Sequence, residues 1–465
     1  MLLTSSAYFV FLVAVVFLYW PLQRWRAAGL GLILFANYFF YAKWDLFYLG
    51  LIPAASRVDY AIGRGLGVAS RPSIRRALVL VSVVVNVGLL ASLKYMPFLL
   101  ANWSGITGRP APDWHWTFPL GVSFYTFQAL TYTIDLYRKD AKPVTSLLTY
   151  FSAVSFFPTT LAGPITRVAA LAPQLEKSRS LADADAGRAL FRIALGAAKK
   201  FLIADYLADN LVNRVFDFPN LYTATEVAVA VYAYALQLYY DFSGYTDIAI
   251  GSAMLLGLKL PENFNQPYSA KNLSDFWRRW HISLSNWLRD YLYFAFPGIR
   301  TSWMPYVALI LTMVIGGLWH GPSWTFVVWG LLHGVGQAVV RAWQAFRGPV
   351  GLKYPWVQWL STLATVHFVC FAWIFFRASS LDNAGLILDR LASGSVSGAN
   401  ISLPLVVVMA AAVAGHYFPF RWQQLAQDRF AASPFYAQAA ALMLLIISLQ
   451  YLNATGAAPF IYTKF

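Results

Sequence analysis

The sequence has little charge. Only 12% of its 465 residues are Asp, Glu, Lys or Arg, about half the share usual in a soluble domain. Acidic residues are the scarcer sign, 20 against 35 Lys and Arg, leaving a formal net charge of +15. There is one cysteine, Cys370, so no disulfide can close within the chain and no metal site can rest on several thiolates. The glycine-rich phosphate loop, the dinucleotide fingerprint, the nucleophile elbow and the paired-histidine zinc helix are all missing, which removes the usual scaffolds of those chemistries. No Gly/Ser linker or low-complexity tract interrupts the chain, and no repeat stands out. A single domain over residues 1–465 is therefore expected.

What the sequence has is apolar surface: 59% hydrophobic residues and 17% aromatic. Runs near the roughly 17–25 residues that cross a bilayer recur at 2–20, 77–93, 226–240, 303–319, 323–340, 357–376, 404–420 and 439–452. Weaker ones cover 28–55, 117–134, 146–163, 189–208 and 247–260. The pattern predicts an all-α integral membrane protein with about ten to twelve membrane-embedded segments, some of them broken or re-entrant. The first run lacks a basic leader and a small-residue cleavage site, so it reads as an anchor. Eighteen Trp and 27 Tyr suit interfacial belts.

The positive charge follows membrane topology rather than nucleic acid. Basic residues gather in short stretches at 24–26, 57–76, 138–142, 259–300, 341–353 and 421–429. The positive-inside rule places these in the cytoplasm and the N-terminus outside. The Pro-, Gly- and Trp-rich stretch 94–116 then faces outward.

Two stretches carry the chemistry. Residues 259–300 form a basic cytoplasmic region that reads as an amphipathic interfacial helix from Phe276. Trp277, Trp280, His281, Leu284, Trp287, Leu288 and Tyr291 share one face at three- and four-residue spacing, with Ser274 or Asp275 as the cap. Arg278, Arg279, Asn286, Arg289 and Asp290 fall mostly on the other face. The second stretch, GGLWHGPSW at 316–324, lies between two long apolar runs. Gly316 and Gly317 weaken the first helix, and Pro322 cannot continue it but suits the first turn of a second. His320 therefore sits at a helix break at membrane depth, where irregular backbone is tolerated only inside protein or beside water. An ionisable residue there is functional by default. The second helix would aim free N–H groups and a positive dipole end at the break. Those would keep the imidazole neutral, as a general base requires, and could hold an oxyanion.

Asp241, Ser243, Tyr245 and Asp247 read as a polar break, either a turn capped by Asp247 or a group lining a tunnel. Lys271, Arg278, Arg279 and Arg289 either obey the positive-inside rule or hold the phosphates of an anionic ligand. His333 reads as a helix-packing or supporting residue. His115, His367 and His416 read as structural.

The segments FFPTTLAGPITR (156–167), the block from YYDFSGYTD to LRDYLY (239–293), GGLWHGPSWTFVVWGLLHG (316–334) and PFIYTKF (459–465) resemble the membrane-bound O-acyltransferase family in its bacterial branch. That branch acts on alginate, cellulose, peptidoglycan and teichoic acids. The resemblance implies a ring of helices around a central funnel, a multi-pass position in the inner membrane and a thioester donor entering from the cytoplasm. It puts the catalytic histidine at His320 and a second characteristic polar position at His281. Asp241, Ser243, Tyr245, Asn272, Arg278, Arg279, Trp319 and Ser323 become candidates for holding donor or acceptor. The implied donor is acetyl-CoA, with no bound cofactor, no metal and no nucleic acid. The implied partners are membrane lipid, a polysaccharide synthesis complex and an extracytoplasmic acetyltransferase with a Ser-His-Asp site. Three alternatives stay open: D-alanyl transfer from a carrier protein, a glycan transporter or flippase, and a non-catalytic scaffold. Broken helices suit a transporter, but two related halves are not visible, and the paired histidines argue against a scaffold.

The topology is open to a direct check. A Ser274→Cys protein in a Cys370→Ser background should resist an impermeant thiol reagent in intact cells. Labelling at that position would reverse the orientation.

Overall fold

A computed structural model describes residues 1–42, 46–114, 121–177, 180–297, 301–348 and 354–452. His115 and the 459–465 motif lie outside the described residues. All regular structure among those described is helical, with short 3-10 and π-helical turns inside or between α-helices. The chain forms two compact units, one from residues 1–193 and 245–261, the other from 194–244 and 262–465.

On length and apolarity, two described helices suffice to cross a membrane: Pro72–Thr107, with 36 residues, and Pro355–Arg377, with 23. The pair Leu403–His416 and Phe420–Ala432, bent by 93°, makes a third if it counts as one broken span. Ser6–Leu22 and Met304–His320 have 17 residues each, about 25 Å of helix and a little short of a full crossing. The ring of about ten to twelve embedded helices is therefore not confirmed. Many apolar runs end in breaks or carry acids, as in the 32-residue helix Ala224–Leu255, which contains Glu226, Asp241 and Asp247. That helix also corrects the expected polar break at 241–247: the backbone stays helical throughout, and the polar groups lie on an unbroken helix.

The first unit joins its helices by buried polar bonds as well as packing. Fully buried Asp59, on Leu46–Val68, accepts from Ser82 Oγ at 2.6 Å and from Asn86 Nδ2 at 2.9 and 3.1 Å, both on Pro72–Leu90. Ser82 Oγ also lies 2.9 Å from Thr133 Oγ1 on Val122–Arg138. Nearby, Tyr8, Phe11, Phe40 and Phe157 pack ring on ring at 5.2–6.3 Å, and Tyr8 Oη donates to Ser252 Oγ at 2.8 Å.

The second unit is built on a hairpin of Met304–His320 and Trp324–Arg347. A Cβ at Gly317 would lie 2.2 Å from the Phe326 carbonyl oxygen. One at Gly330 would lie 2.4 Å from the Met313 carbonyl oxygen, and one at Gly334 would lie 2.7 Å from Ile310 Cα. The glycines therefore serve close approach, and the first helix runs through Gly316 and Gly317 without a break. It ends at His320, with Gly321 extended, and Ser323 caps the second helix by accepting from Thr325 N. Pro322 precedes that cap rather than opening the helix, so the expected role for it gives way to Ser323.

Gly317→Val would press side-chain atoms into a carbonyl that cannot move without separating the helices. Overpacking of this kind costs about 1–3 kcal/mol and occasionally more. The variant should elute aggregated, or melt well below wild type, in detergent size-exclusion and thermal-unfolding experiments. Unchanged melting would mean that the hairpin is not packed this tightly.

Candidate active site

His320 ends its helix and is 4% exposed. Its ring lies 5.0 Å from Trp319, 5.2 Å from Trp329 at 88°, and 5.1 Å from Phe376 at 74°. Trp373 lies against Trp329 at 5.8 Å and against Phe376 at 5.1 Å. The histidine thus ends its helix, where the sequence placed a break, and it sits in an aromatic chamber.

The second histidine is held differently. The expected continuous amphipathic helix is in fact two short helices, Leu273–Arg279 and Ile282–Trp287, followed by a π-helical turn Leu288–Leu292. His281 lies between the two in the left-handed region, φ 42° and ψ 54°. That conformation is strained for a side chain with a Cβ, by about 1–3 kcal/mol. Segment 263–265 holds it in place: Ile282 N donates to Asn263 O at 2.9 Å, and Asn265 N to Arg279 O at 2.9 Å. Asn263 is fully buried, and its Oδ1 lies 3.0 Å from His281 Nδ1 while accepting from Ser283 N at 3.1 Å and Ser283 Oγ at 2.9 Å. The cap of Leu273–Arg279 is Asn272, accepting from Asp275 N, and not Ser274 or Asp275.

His281 is itself fully buried, with its ring 4.6 Å from Phe242 and 6.3 Å from Trp319. Trp319 therefore packs against both histidines. Burial pushes the His281 imidazole down to about 3, so it stays neutral at physiological pH. The unfolded chain, with a histidine near 6.5, binds this proton first. The stability involved is complete above about pH 6.5 and is lost as pH falls toward 3.

Two cavities lie along the hairpin, one at the turn and one further from it. One, of about 340 Å³, opens at the helix break and is lined by Gly321, Ser323, Phe326, Asn213, Gln237 and Arg377. The other, of about 250 Å³, is basic, with Arg278, Arg289, Arg341, Trp277, Met313 and Gln337 in its walls. Along the second helix Trp329 and His333 fall between the residues that line the two cavities, and His320 directly precedes Gly321 of the first. His333 is fully buried, and its Nδ1 accepts from Trp277 Nε1 at 3.2 Å.

The remaining candidates scatter. Ser323 lines the first cavity and Arg278 the second. Arg279 instead bonds Asp275 at 3.0 Å and Asn265 O at 3.4 Å. Asp241 belongs to a buried ion cluster, 2.7 Å from Lys200 Nζ, which also lies 2.8 Å from Asp205. Ser243 is buried with no hydrogen-bond partner among the described residues. Tyr245 is buried in the first unit. The backbone N–H groups expected to hold an oxyanion are largely used within the turn: Ser323 N donates to Gly321 O, Thr325 N to Ser323 Oγ and Val327 N to Ser323 O. Sequence reasoning missed Asn263, Lys200 and the bond from Trp277 to His333. A lone polar residue in a loop, or a lysine beside an apolar run, carries no spacing that marks it.

Residues 83–381 match the family model for MBOAT, the membrane-bound O-acyltransferase family. The chain is 38% identical to a probable alginate O-acetylase of Azotobacter vinelandii, covering 82% of this chain and 76% of the relative. It is 35% identical to a peptidoglycan O-acetyltransferase of Helicobacter pylori, covering 77% and 73%. To a teichoic acid D-alanyltransferase of Bacillus subtilis it is 33% identical, over 55% of this chain and 68% of the relative.

Asn263→Ala would leave His281 Nδ1 and Ser283 N and Oγ without their acceptor. A buried group deprived of its partner costs about 1–3 kcal/mol. The variant should melt clearly lower in detergent and should lose activity with the left-handed turn. Wild-type melting would show that the loop is held by something other than Asn263.

Proposed function

Because the chain belongs to the membrane-bound O-acyltransferase family and is an acyltransferase of the membrane, we propose a specific reaction for it. It moves an acetyl group from acetyl-CoA, on the cytoplasmic side of the inner membrane, toward an extracytoplasmic polysaccharide such as alginate, cellulose or peptidoglycan. The observation that carries this is the position of His320, at a helix break inside an aromatic chamber and next to Gly321 in the wall of the cavity at the turn. Arg278, Arg289 and Arg341 suit the phosphates of a coenzyme A donor. The cavity at Ser323 suits an incoming hydroxyl. His320 takes the proton of that hydroxyl as it attacks the thioester carbonyl, then returns it to the departing thiolate. Such acid–base help is worth about 10²–10⁴-fold. Neutral His281, fixed by Asn263, holds the wall of the site beside Trp319.

The acetyl reading is favoured over D-alanyl transfer by coverage: the alginate relative matches 82% of this chain, the D-alanyltransferase 55%. The chain carries no recognisable Ser-His-Asp motif to choose a polysaccharide. A separate extracytoplasmic acetyltransferase with such a site therefore completes the transfer, within a polysaccharide synthesis complex and a multi-pass membrane setting.

His320→Ala should abolish glycan acetylation while the protein stays in the membrane at its normal level. His320→Gln, which keeps size and polarity but cannot act as a base, should fail equally. His281→Ala should lower acetylation severely. The readout is acetyl ester released from purified glycan, with membrane immunoblots as control. Near-normal ester with His320→Gln would make that histidine structural and defeat the mechanism.

A further inference from the structure

Two buried N–H donors, Trp329 against His320 and His333 against Trp329, have no hydrogen-bond acceptor among the described residues. Trp329 is 1% exposed, and its indole Nε1 makes no hydrogen bond. Its ring lies parallel to Trp373, at 16°, so the N–H does not point into the face of that neighbour. His333 is 0% exposed. An indole nitrogen only donates, so the bond from Trp277 Nε1 makes His333 Nδ1 an acceptor. A neutral ring then carries its proton on Nε2, and that atom has no partner among the described residues either. Interiors seldom leave such donors unpaired, and each unpaired one needs an explanation.

Their placement supplies one. Phe326, Trp329, His333 and Gln337 fall at spacings of three and four on the helix Trp324–Arg347, so they share one face. Phe326 lines the cavity at the turn, and Gln337 lines the basic cavity. The two donors occupy the strip between. Trp329 lies 5.2 Å from the His320 ring and 5.0 Å from the His333 ring. Backbone N–H groups at the break are largely engaged within the turn, so the charge that develops during acyl transfer needs another partner.

We infer that the Trp329 indole N–H and the His333 Nε2–H bind the carbonyl oxygen of a short acyl thioester and hold the oxyanion formed when it is attacked. This rests on the acyl-transfer reading above. The acceptor oxygen bonds to the carbonyl carbon, and the carbonyl electron pair moves onto oxygen between the two donors. His320 takes the hydroxyl proton. The carbonyl then re-forms, the carbon–sulfur bond breaks, and His320 passes the proton to the thiolate. The products are an ester and a thiol, and both donors keep their hydrogens.

The test uses the purified full-length protein with [1-¹³C]acetyl-CoA. Removing one oxyanion donor lowers kcat by about 10²–10³-fold. Trp329→Phe keeps the ring and loses the N–H, so kcat should fall by that order while KM for the donor changes little. His333→Leu should behave alike, and His333→Gln, which can accept from Trp277 and still donate, should recover much of the loss. In His320→Ala protein the bound ¹³C carbonyl should absorb at lower infrared frequency than free donor. Adding Trp329→Phe should clearly lessen that shift. Unchanged kcat in Trp329→Phe, or a carbonyl frequency indifferent to Trp329, overturns the inference while an inactive His320→Gln leaves the acyl-transfer reading standing. Full activity in His320→Gln, or no binding of acetyl-CoA at all, brings both down.

Discussion

The chain reverses direction across residues 321–323, and the surroundings of His320 depend on the two helices meeting there with no side chain between them. Gly317 faces the Phe326 carbonyl, Gly330 faces the Met313 carbonyl and Gly334 faces the Ile310 backbone. Helices this close can place a residue at the end of one against residues from the first turns of the other. That is how His320 comes to touch Trp329, only nine positions later, with Phe376 closing the far side. A wider crossing would admit side chains between the helices and disperse the chamber.

A second constraint comes from backbone strain. His281 occupies a left-handed conformation that only tight local bonding keeps populated. The bonding comes from Asn263 and Asn265 across the chain together with the following helix, whose Ser285 N donates to His281 O at 2.9 Å. The strain and its restraint put the imidazole where Phe242 and Trp319 contact it. Strain of this kind gathers at functional positions, since elsewhere nothing would favour keeping it.

Much of this was legible in the sequence, for physical reasons that differ from part to part. The helix break at His320 could be read because Gly and Pro act on backbone geometry directly, and the motif resemblance pointed to the same residue. The helical class followed from composition. The purpose of Gly316 and Gly317 was not legible, since a glycine that weakens a helix and one that admits a neighbour look alike in sequence. The amphipathic stretch misled because Trp277, Trp280, Leu284 and Leu288 keep helical spacing across an interruption at His281. The 241–247 stretch misled in the opposite sense: its acids suggested a break, yet Asp241 lies on a continuous helix because Lys200 neutralises it there. Pairing across 41 positions leaves no local trace. The span count was the least legible, because apolar runs of crossing length can fold as shorter, interrupted helices.

The buried cluster of Lys200, Asp205 and Asp241 bears on how this chain can change over time. One ammonium lies 2.8 and 2.7 Å from two carboxylates, with side-chain exposures of 1–4%. Removing one member of such a set strands a charge, whereas exchanging the whole set for packed apolar residues can be neutral or better. The three positions are therefore locked together by epistasis. A lineage that loses Lys200 alone faces two opposed carboxylates, and one that loses a single aspartate lacks part of the counter-charge. The favourable alternatives lie several substitutions away, so each single change at these sites carries a cost even where the triad itself adds little to stability.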